Sequence, residues 1–226
     1  MQCSLVKFAR SQLVKLASRV NLYTSRYKNY VVYVRRFMEV TLKHRRKIVF
    51  LDIGCGDGFF TKAFSKFVDF AIGIDLKRYH AWCAGQSNKC AFAIADARNI
   101  PLRSSAVDMV IMISLLEHVP NWRVVVSEVS RVLKAGGIVV IQLPNLYAMI
   151  EAHTHFPLLS FMPIYVKNLI TSALFHEVLQ WDCNVSEVTN TLKGFGLKVL
   201  GILRYSYIKM LGPISFAYFI IAMKTR

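Results

Sequence analysis

Three glycines crowd into five positions of this chain, at Gly54, Gly56 and Gly58. An apolar, β-branched run, Ile48 to Ile53, leads into them and contains Asp52 near its end. Behind them Phe60, Ala63, Phe64 and Phe67 fall at helical spacing. That order predicts a buried parallel strand, a glycine turn and a helix of about 59–68, the first half of a βαβ unit. Glycines there permit positive φ and let a ligand approach the main chain. The helix that follows aims free N–H groups and its positive dipole end at the turn, favouring a carboxylate or phosphate. A second apolar run, Phe70 to Ile74, closes on Asp75, about 20 positions after the first glycine, where a carboxylate suits two ribose hydroxyls. Phe59 stands where a dinucleotide fingerprint needs a small residue, so close packing against a pyrophosphate is disfavoured. The implied ligand is a nucleoside without pyrophosphate that carries a small acidic group.

Around these residues the chain alternates regularly. A short helix is expected from Arg78 to Gln86 and strands at Cys90–Ile94 and Val107–Ile113. A helix is expected from Asn121 to Leu133, stopped by Lys134–Gly137, then a strand from Ile138 to Leu143. Such alternation argues for a parallel sheet covered on both faces, with ligands at the carboxyl ends of the strands. A helix from Val185 to Leu192, begun by Asn184 or Ser186, precedes two consecutive strands, Leu197–Arg204 and Ile214–Met223. Strands joined without a helix between them pair antiparallel.

The run Leu51-Asp52-Ile53-Gly54-Cys55-Gly56-Asp57-Gly58 resembles the first motif of the class I S-adenosylmethionine (SAM)-dependent methyltransferases. Ser114-Leu115-Leu116-Glu117-His118-Val119 resembles the Glu-His element of the branch that contains ubiquinone-biosynthesis and other small-molecule methyltransferases. The resemblance covers about residues 48–145 by motif and the tail by pattern. It implies an α/β, Rossmann-like doubly wound seven-stranded sheet, mostly parallel with a C-terminal antiparallel hairpin and helices on both faces. It implies SAM as cofactor. The cofactor contacts it implies are Asp52, Gly54, Cys55, Gly56, Gly58, Asp75, Leu76, Asp96, Ala97 and Ser114. Of these, Asp52 would reach the methionine end, Asp75 the ribose, Leu76 the adenine face and Asp96 the adenine amino group. Asp108 is expected to be structural.

Methyl transfer asks mainly for alignment of nucleophile, methyl and sulfur. A hydroxyl acceptor also needs a base. His118, His153 and His155 are the candidates, and His118 equally suits lining the cofactor pocket. His153, His155 and His176 do not by themselves make a metal site, and none is expected. After the fourth strand the chain lacks the Asn/Asp-Pro-Pro-aromatic run of adenine amino-methylating enzymes. No cysteine follows a proline, as a cytosine C5 enzyme would require. The expected acceptor is a small or lipid-linked molecule, methylated at oxygen or carbon.

At 226 residues and 54% hydrophobic content the chain can bury a substantial core. Its net charge of +16 points to something anionic: nucleic acid, a membrane surface or a phosphorylated substrate. Residues 1–47 hold most of the asymmetry, with Glu39 their single acid, and read as two basic amphipathic helices. That arm is expected as one unit and residues 48–226 as the catalytic domain. A hydrophobic substrate cover is expected at about 146–183, with Trp181 and Asp182 closing the pocket. Five scattered cysteines fit a reducing cytosol. The Arg-rich, acid-poor start also fits a mitochondrial transit peptide. Peripheral membrane contact, an RNA methyltransferase using the arm, and a non-catalytic adaptor are the alternatives.

Overall fold

The computed structural model describes residues 26–83, 88–145, 162–175, 180, 182–205 and 217–225. The strands are β1 (Val49–Ile53), β2 (Phe70–Asp75), β3 (Cys90–Ile94), β4 (Val107–Ile113), β5 (Leu133–Pro144), β6 (Leu197–Tyr205) and β7 (Ala217–Lys224). They form one seven-stranded sheet in the order β3-β2-β1-β4-β5-β7-β6. The first five are parallel, and β7 enters antiparallel between β5 and β6. The described helices are α1 (Arg26–Thr41), α2 (Phe59–Phe64), α3 (Trp122–Val132), α4 (Ile164–Phe175) and α5 (Val185–Gly194).

Period-two alternation divides the core between two faces. Leu51, Ile53, Val110, Met112, Val139 and Ile141 face α3 and α5. Their neighbours Phe50, Met109, Ile111 and Val140 face α1 and α2. Helices therefore cover both sides, as a parallel sheet requires. Of the two helices expected in the basic arm, the first lies outside the described residues. The second is α1, and it is part of the core: Tyr30, Val34, Phe37, Met38 and Leu42 are buried against the sheet. Tyr30 meets Phe219 of β7 edge to face, with centroids 4.7 Å apart.

Asp108 lies buried near the amino end of the central strand β4, at the opposite end of the strands from the glycine turn. Its carboxylate accepts from Val49 N at 3.0 Å and Lys134 Nζ at 2.6 Å, and pairs with Arg45 at 3.1 Å. It ties β1, β4 and β5 to the segment after α1, a structural role.

Several boundaries differ from expectation. α2 ends at Phe64 rather than 68, because the chain turns tightly at Ser65 and Phe67, leaving Phe67 outward under the Arg35 guanidinium at 4.0 Å. Between Arg78 and Gln86 the described chain forms only a 3-10 turn, His80–Trp82. β5 starts at Leu133, where a helix stop was expected. Gly136, at φ +70°, and Gly137 absorb a bulge there, so the chain joins the ladder directly out of α3. A Cβ on Gly137 would lie 2.8 Å from Lys134 O and 3.1 Å from Asp108 O, which is why the bulge needs glycine. Asn184 is the residue that caps α5, accepting from Glu187 N at 3.0 Å.

Candidate functional site

The carboxyl ends of β1, β2, β3 and β4 converge on the glycine turn. Gly54, Gly56 and Gly58 all have positive φ, at 72°, 52° and 83°. The backbone amides of Gly54 and Cys55 both donate to Ile74 O, at 2.8 and 3.0 Å, fastening the turn to β2. The three glycines do different work. The Cβ positions of Gly54 and Gly58 are filled by the chain itself, by Leu115 at 2.7 Å and Phe92 at 2.5 Å. At Gly56 nothing lies within 4 Å, so there the main chain is bare.

Two cavities meet at Gly54. The first, about 110 Å³, is walled by Gly54, Asp75, Leu76, Asp96, Ala97 and His118. The second, about 320 Å³, is walled by Asp52, Cys55, Gly56, Phe59, Ile113 and Ser114. Nine of the ten sequence-expected cofactor residues thus line one cavity or the other. Gly58 lines neither. It packs against Phe92 and lets the turn pass into α2. Cys55 is buried, and burial pushes its thiol above the usual range, which suits a small wall residue rather than a nucleophile.

Asp75 ends β2 with its Oδ2 accepting from Gly56 N at 2.9 Å and its Oδ1 from Lys77 N at 3.0 Å. Each oxygen keeps a lone pair for a further donor. Leu76 beside it is 65% exposed and forms an apolar ledge. Asp96 is held by Arg98, whose backbone N and guanidinium donate at 2.7 to 3.2 Å and keep the carboxyl below its usual range. Asp52 is buried under the second cavity. It accepts from Thr61 Oγ1 at 2.6 Å, yet burial pushes its pKa up to about 7.

Ser114 has φ 48°, a left-handed conformation that a residue bearing a side chain seldom adopts. Its hydroxyl donates to Gln142 Oε1 at 2.6 Å, across from β4 to β5. Gln142 is a buried polar residue in an otherwise apolar strand, and sequence reasoning missed it. Only its strand-end position in an apolar run could have marked it.

His118 lies on the first cavity, beside Leu76 and Asp96, and not on the second. Its Nε2 is 4.0 Å from the buried carboxylate of Glu117. His153, His155 and Trp181 lie outside the described residues. Asp182 faces α3 instead of either cavity, accepting from Arg123 at 2.8 Å and Trp122 Nε1 at 3.3 Å. Among the described residues no group of three His, Cys, Asp or Glu is placed to hold a metal.

Residues 51–141 match the family model described as a methyltransferase domain. Over that stretch, less than half of the chain, the sequence is similar to methyltransferase domains. A crystal structure of a SAM-dependent methyltransferase from Mesorhizobium loti superposes with TM-score 0.64 at 17% identity, covering 78% of this chain and 91% of that one. At that identity the likeness concerns the fold. A sterol 4-C-methyltransferase of Caenorhabditis elegans is 32% identical over 94 residues, 38% of this chain and 28% of its own length. The chloroplastic tocopherol O-methyltransferase of Arabidopsis thaliana is 34% identical over 116 residues, 47% of this chain and 33% of its own length. The chain thus spans about a third or less of these two relatives.

The methyltransferase likeness indicates SAM as cofactor, and the residues present fit it. Asp75 retains acceptor capacity on both oxygens at the carboxyl end of β2. The bare main chain at Gly56 admits a close ligand. Asp52 and Asp75 bring anionic groups to a cleft in a chain of net charge +16, which suits a cationic ligand.

Proposed function

We propose that the protein transfers a methyl group from SAM to an apolar small-molecule or lipid-linked acceptor, at oxygen or carbon, in the small-molecule branch of the superfamily. The observation that carries this reading is the pair of cavities joined at Gly54, one suited to a nucleoside and one open past the glycine turn. In this reading Asp75 accepts from the ribose hydroxyls, Leu76 lies on the adenine face and Asp96 accepts from the adenine amino group. Asp52 faces the cationic methionine end. Bound SAM supplies a methyl group on a positively charged sulfur with a neutral leaving group. The chain's own residues supply position, since Ser114 and the Gly54 turn both wall the second cavity and are each held by hydrogen bonds to neighbouring strands. We assign His118 to the nucleoside wall and leave any acceptor base to the segment holding His153 and His155.

An apolar acceptor is supported by the walls of the second cavity, which Phe59, Phe60 and Ile113 line together with Asp52. It is supported too by α4, which turns Ile164, Tyr165 and Leu169 outward. The relatives named for sterol and tocopherol methylation favour the same class. We treat residues 146–183 as the substrate cover and residues 1–47 as a basic arm whose helix α1 is docked on the domain. No described helix is long and apolar enough to cross a membrane. The described cysteines are free thiols, which supports a reducing compartment, and we place the protein in the cytosol, with its basic arm available to an anionic membrane surface.

The test is SAM binding by calorimetry, followed by transfer of labelled methyl to sterols, prenylated phenols and RNA in parallel. Labelled sterol or phenol supports the reading. Labelling of RNA alone, with binding that collapses as salt rises, replaces it with the RNA reading that the exposed Lys43, Arg46 and Lys47 also favour. A protein that binds no SAM removes both.

A further inference from the structure

Gly56 is the turn residue whose missing side chain leaves open space, so no side chain props it from that direction. Its peptide groups are instead held by hydrogen bonds on both sides. The amide of Gly56 donates to Asp75 Oδ2 at 2.9 Å. Its carbonyl accepts from Trp82 Nε1 at 2.8 Å, and Cys55 Sγ, a weak donor, lies 3.8 Å from the same oxygen. The indole donor is itself fixed. Trp82 is 4% exposed and its ring stacks on Phe92 of β3, with centroids 5.3 Å apart and planes at 12°. Phe92 in turn fills the space beside Gly58 and Gly73, so the stack cannot shift without moving the glycine turn. Lys62 of α2 closes the assembly, with Nζ donating to Ala81 O at 2.6 Å and standing 5.8 Å from the Phe92 centroid. Trp82 lines neither cavity.

We propose that Trp82 is a positioning residue for the cofactor: its indole N–H fixes the carbonyl of Gly56, and through the Gly56 backbone the amide on its other side, which aims the carboxylate of Asp75 at the ribose. This rests on the SAM reading above. Without the indole donor the Gly56 carbonyl turns toward water. The amide of Gly56 leaves Asp75, and the carboxylate loses one of the two bonds that orient it. Affinity for the cofactor falls, while the saturated complex, whose reacting atoms Trp82 never touches, turns over as before.

Trp82→Phe keeps an aromatic ring on Phe92 and removes only the donor. A neutral hydrogen bond of ordinary strength corresponds to about a three- to tenfold change. The expected result is therefore a rise of about that size in the SAM dissociation constant and KM, with kcat and the acceptor KM unchanged. Replacing the Trp82 indole by benzothiophene, of the same shape and without N–H, should give the same shift and guards against a repacked ring. In an Asp75→Ala background, which removes the acceptor of the Gly56 amide, Trp82→Phe should lose most of its effect, because both side chains act through the two peptide groups that flank the Gly56 Cα. A folded Trp82→Phe protein that binds SAM as tightly as wild type overturns the proposal. So do losses that simply multiply in the double variant, or a kcat that falls with affinity unchanged. Failure of wild type to bind SAM is a separate outcome, which removes the reading on which the proposal stands.

Discussion

Asp52 is buried beneath the second cavity with Thr61 as its hydroxyl donor, and its carboxyl titrates near pH 7. Burial is the main cause, opposed by the Thr61 hydrogen bonds and reinforced by the charges of Asp75 and Asp57. A raised carboxyl pKa has a definite sign in linkage. Below about pH 4 both folded and unfolded chains carry the proton and stability is complete. As pH rises toward 7 the unfolded chain ionises first, so stability is lost across that window and then levels off. The rise from 3.8 to about 7 corresponds to about 4 kcal/mol. A cationic ligand end beside Asp52 recovers part of it by favouring the ionised form.

If only that form binds well, roughly a tenth of the protein is competent at pH 6 and nine tenths at pH 8, so SAM affinity rises about tenfold across the interval. Calorimetry in buffers of different ionisation enthalpy should register release of nearly one proton per SAM at pH 6 and little at pH 8. Asp52→Asn keeps an oxygen for Thr61 and cannot ionise. It should flatten the pH dependence, weaken SAM binding, and raise thermal stability at pH 8. A dissociation constant that stays level from pH 6 to 8 in wild type, with no proton released, would refute the placement of Asp52 against the cofactor's positive end.

Three further outcomes follow from the geometry. Asp75→Ala removes the acceptor at the end of β2 and should weaken SAM binding by about ten- to a hundredfold in a calorimetric titration, charge-assisted hydrogen bonds being about 1.5–3 kcal/mol. Phe64→Ala empties a fully buried site stacked 4.7 Å from Phe50 and should cost about 3–5 kcal/mol in urea unfolding, with SAM affinity nearly preserved in the folded fraction. Asn184→Ala removes the cap of α5 and should cost about 1 kcal/mol in the same assay.

The parts of this molecule readable from sequence are those encoded at short range. The strand, glycine turn and helix from Ile48 to Phe64 announce themselves by apolar run, glycine spacing and period. The register that brings Asp75 to Gly56 follows from adjacency of β1 and β2. The hairpin was legible because no helix can be drawn between β6 and β7. What the sequence hid depends on partners far along the chain. Gly54 and Gly58 look alike on paper, yet Leu115 and Phe92 assign them to packing and leave Gly56 as the bare position. Trp82 reads as an apolar residue in a short helix, and only the folded chain shows its N–H on Gly56 O. Ser114 and Gln142 stand 28 positions apart and meet because β4 and β5 are neighbours. The charges of α1 mark it as a basic arm, while its spacing of Tyr30, Val34 and Phe37 fits a helix packed on the sheet, and those side chains are buried there with Arg35 and Arg36 left exposed.

The sheet order has a consequence for assembly in time. The last strand in chain order, Ala217–Lys224, is an interior plank with β5 on one side and β6 on the other. Until it arrives, β6 has no neighbour to join and β5 presents an open flank that could capture a stray strand from another molecule. Loss of residues 217–224 would therefore do more than shorten the protein: it would detach β6 from the sheet and leave β5 as an adhesive border.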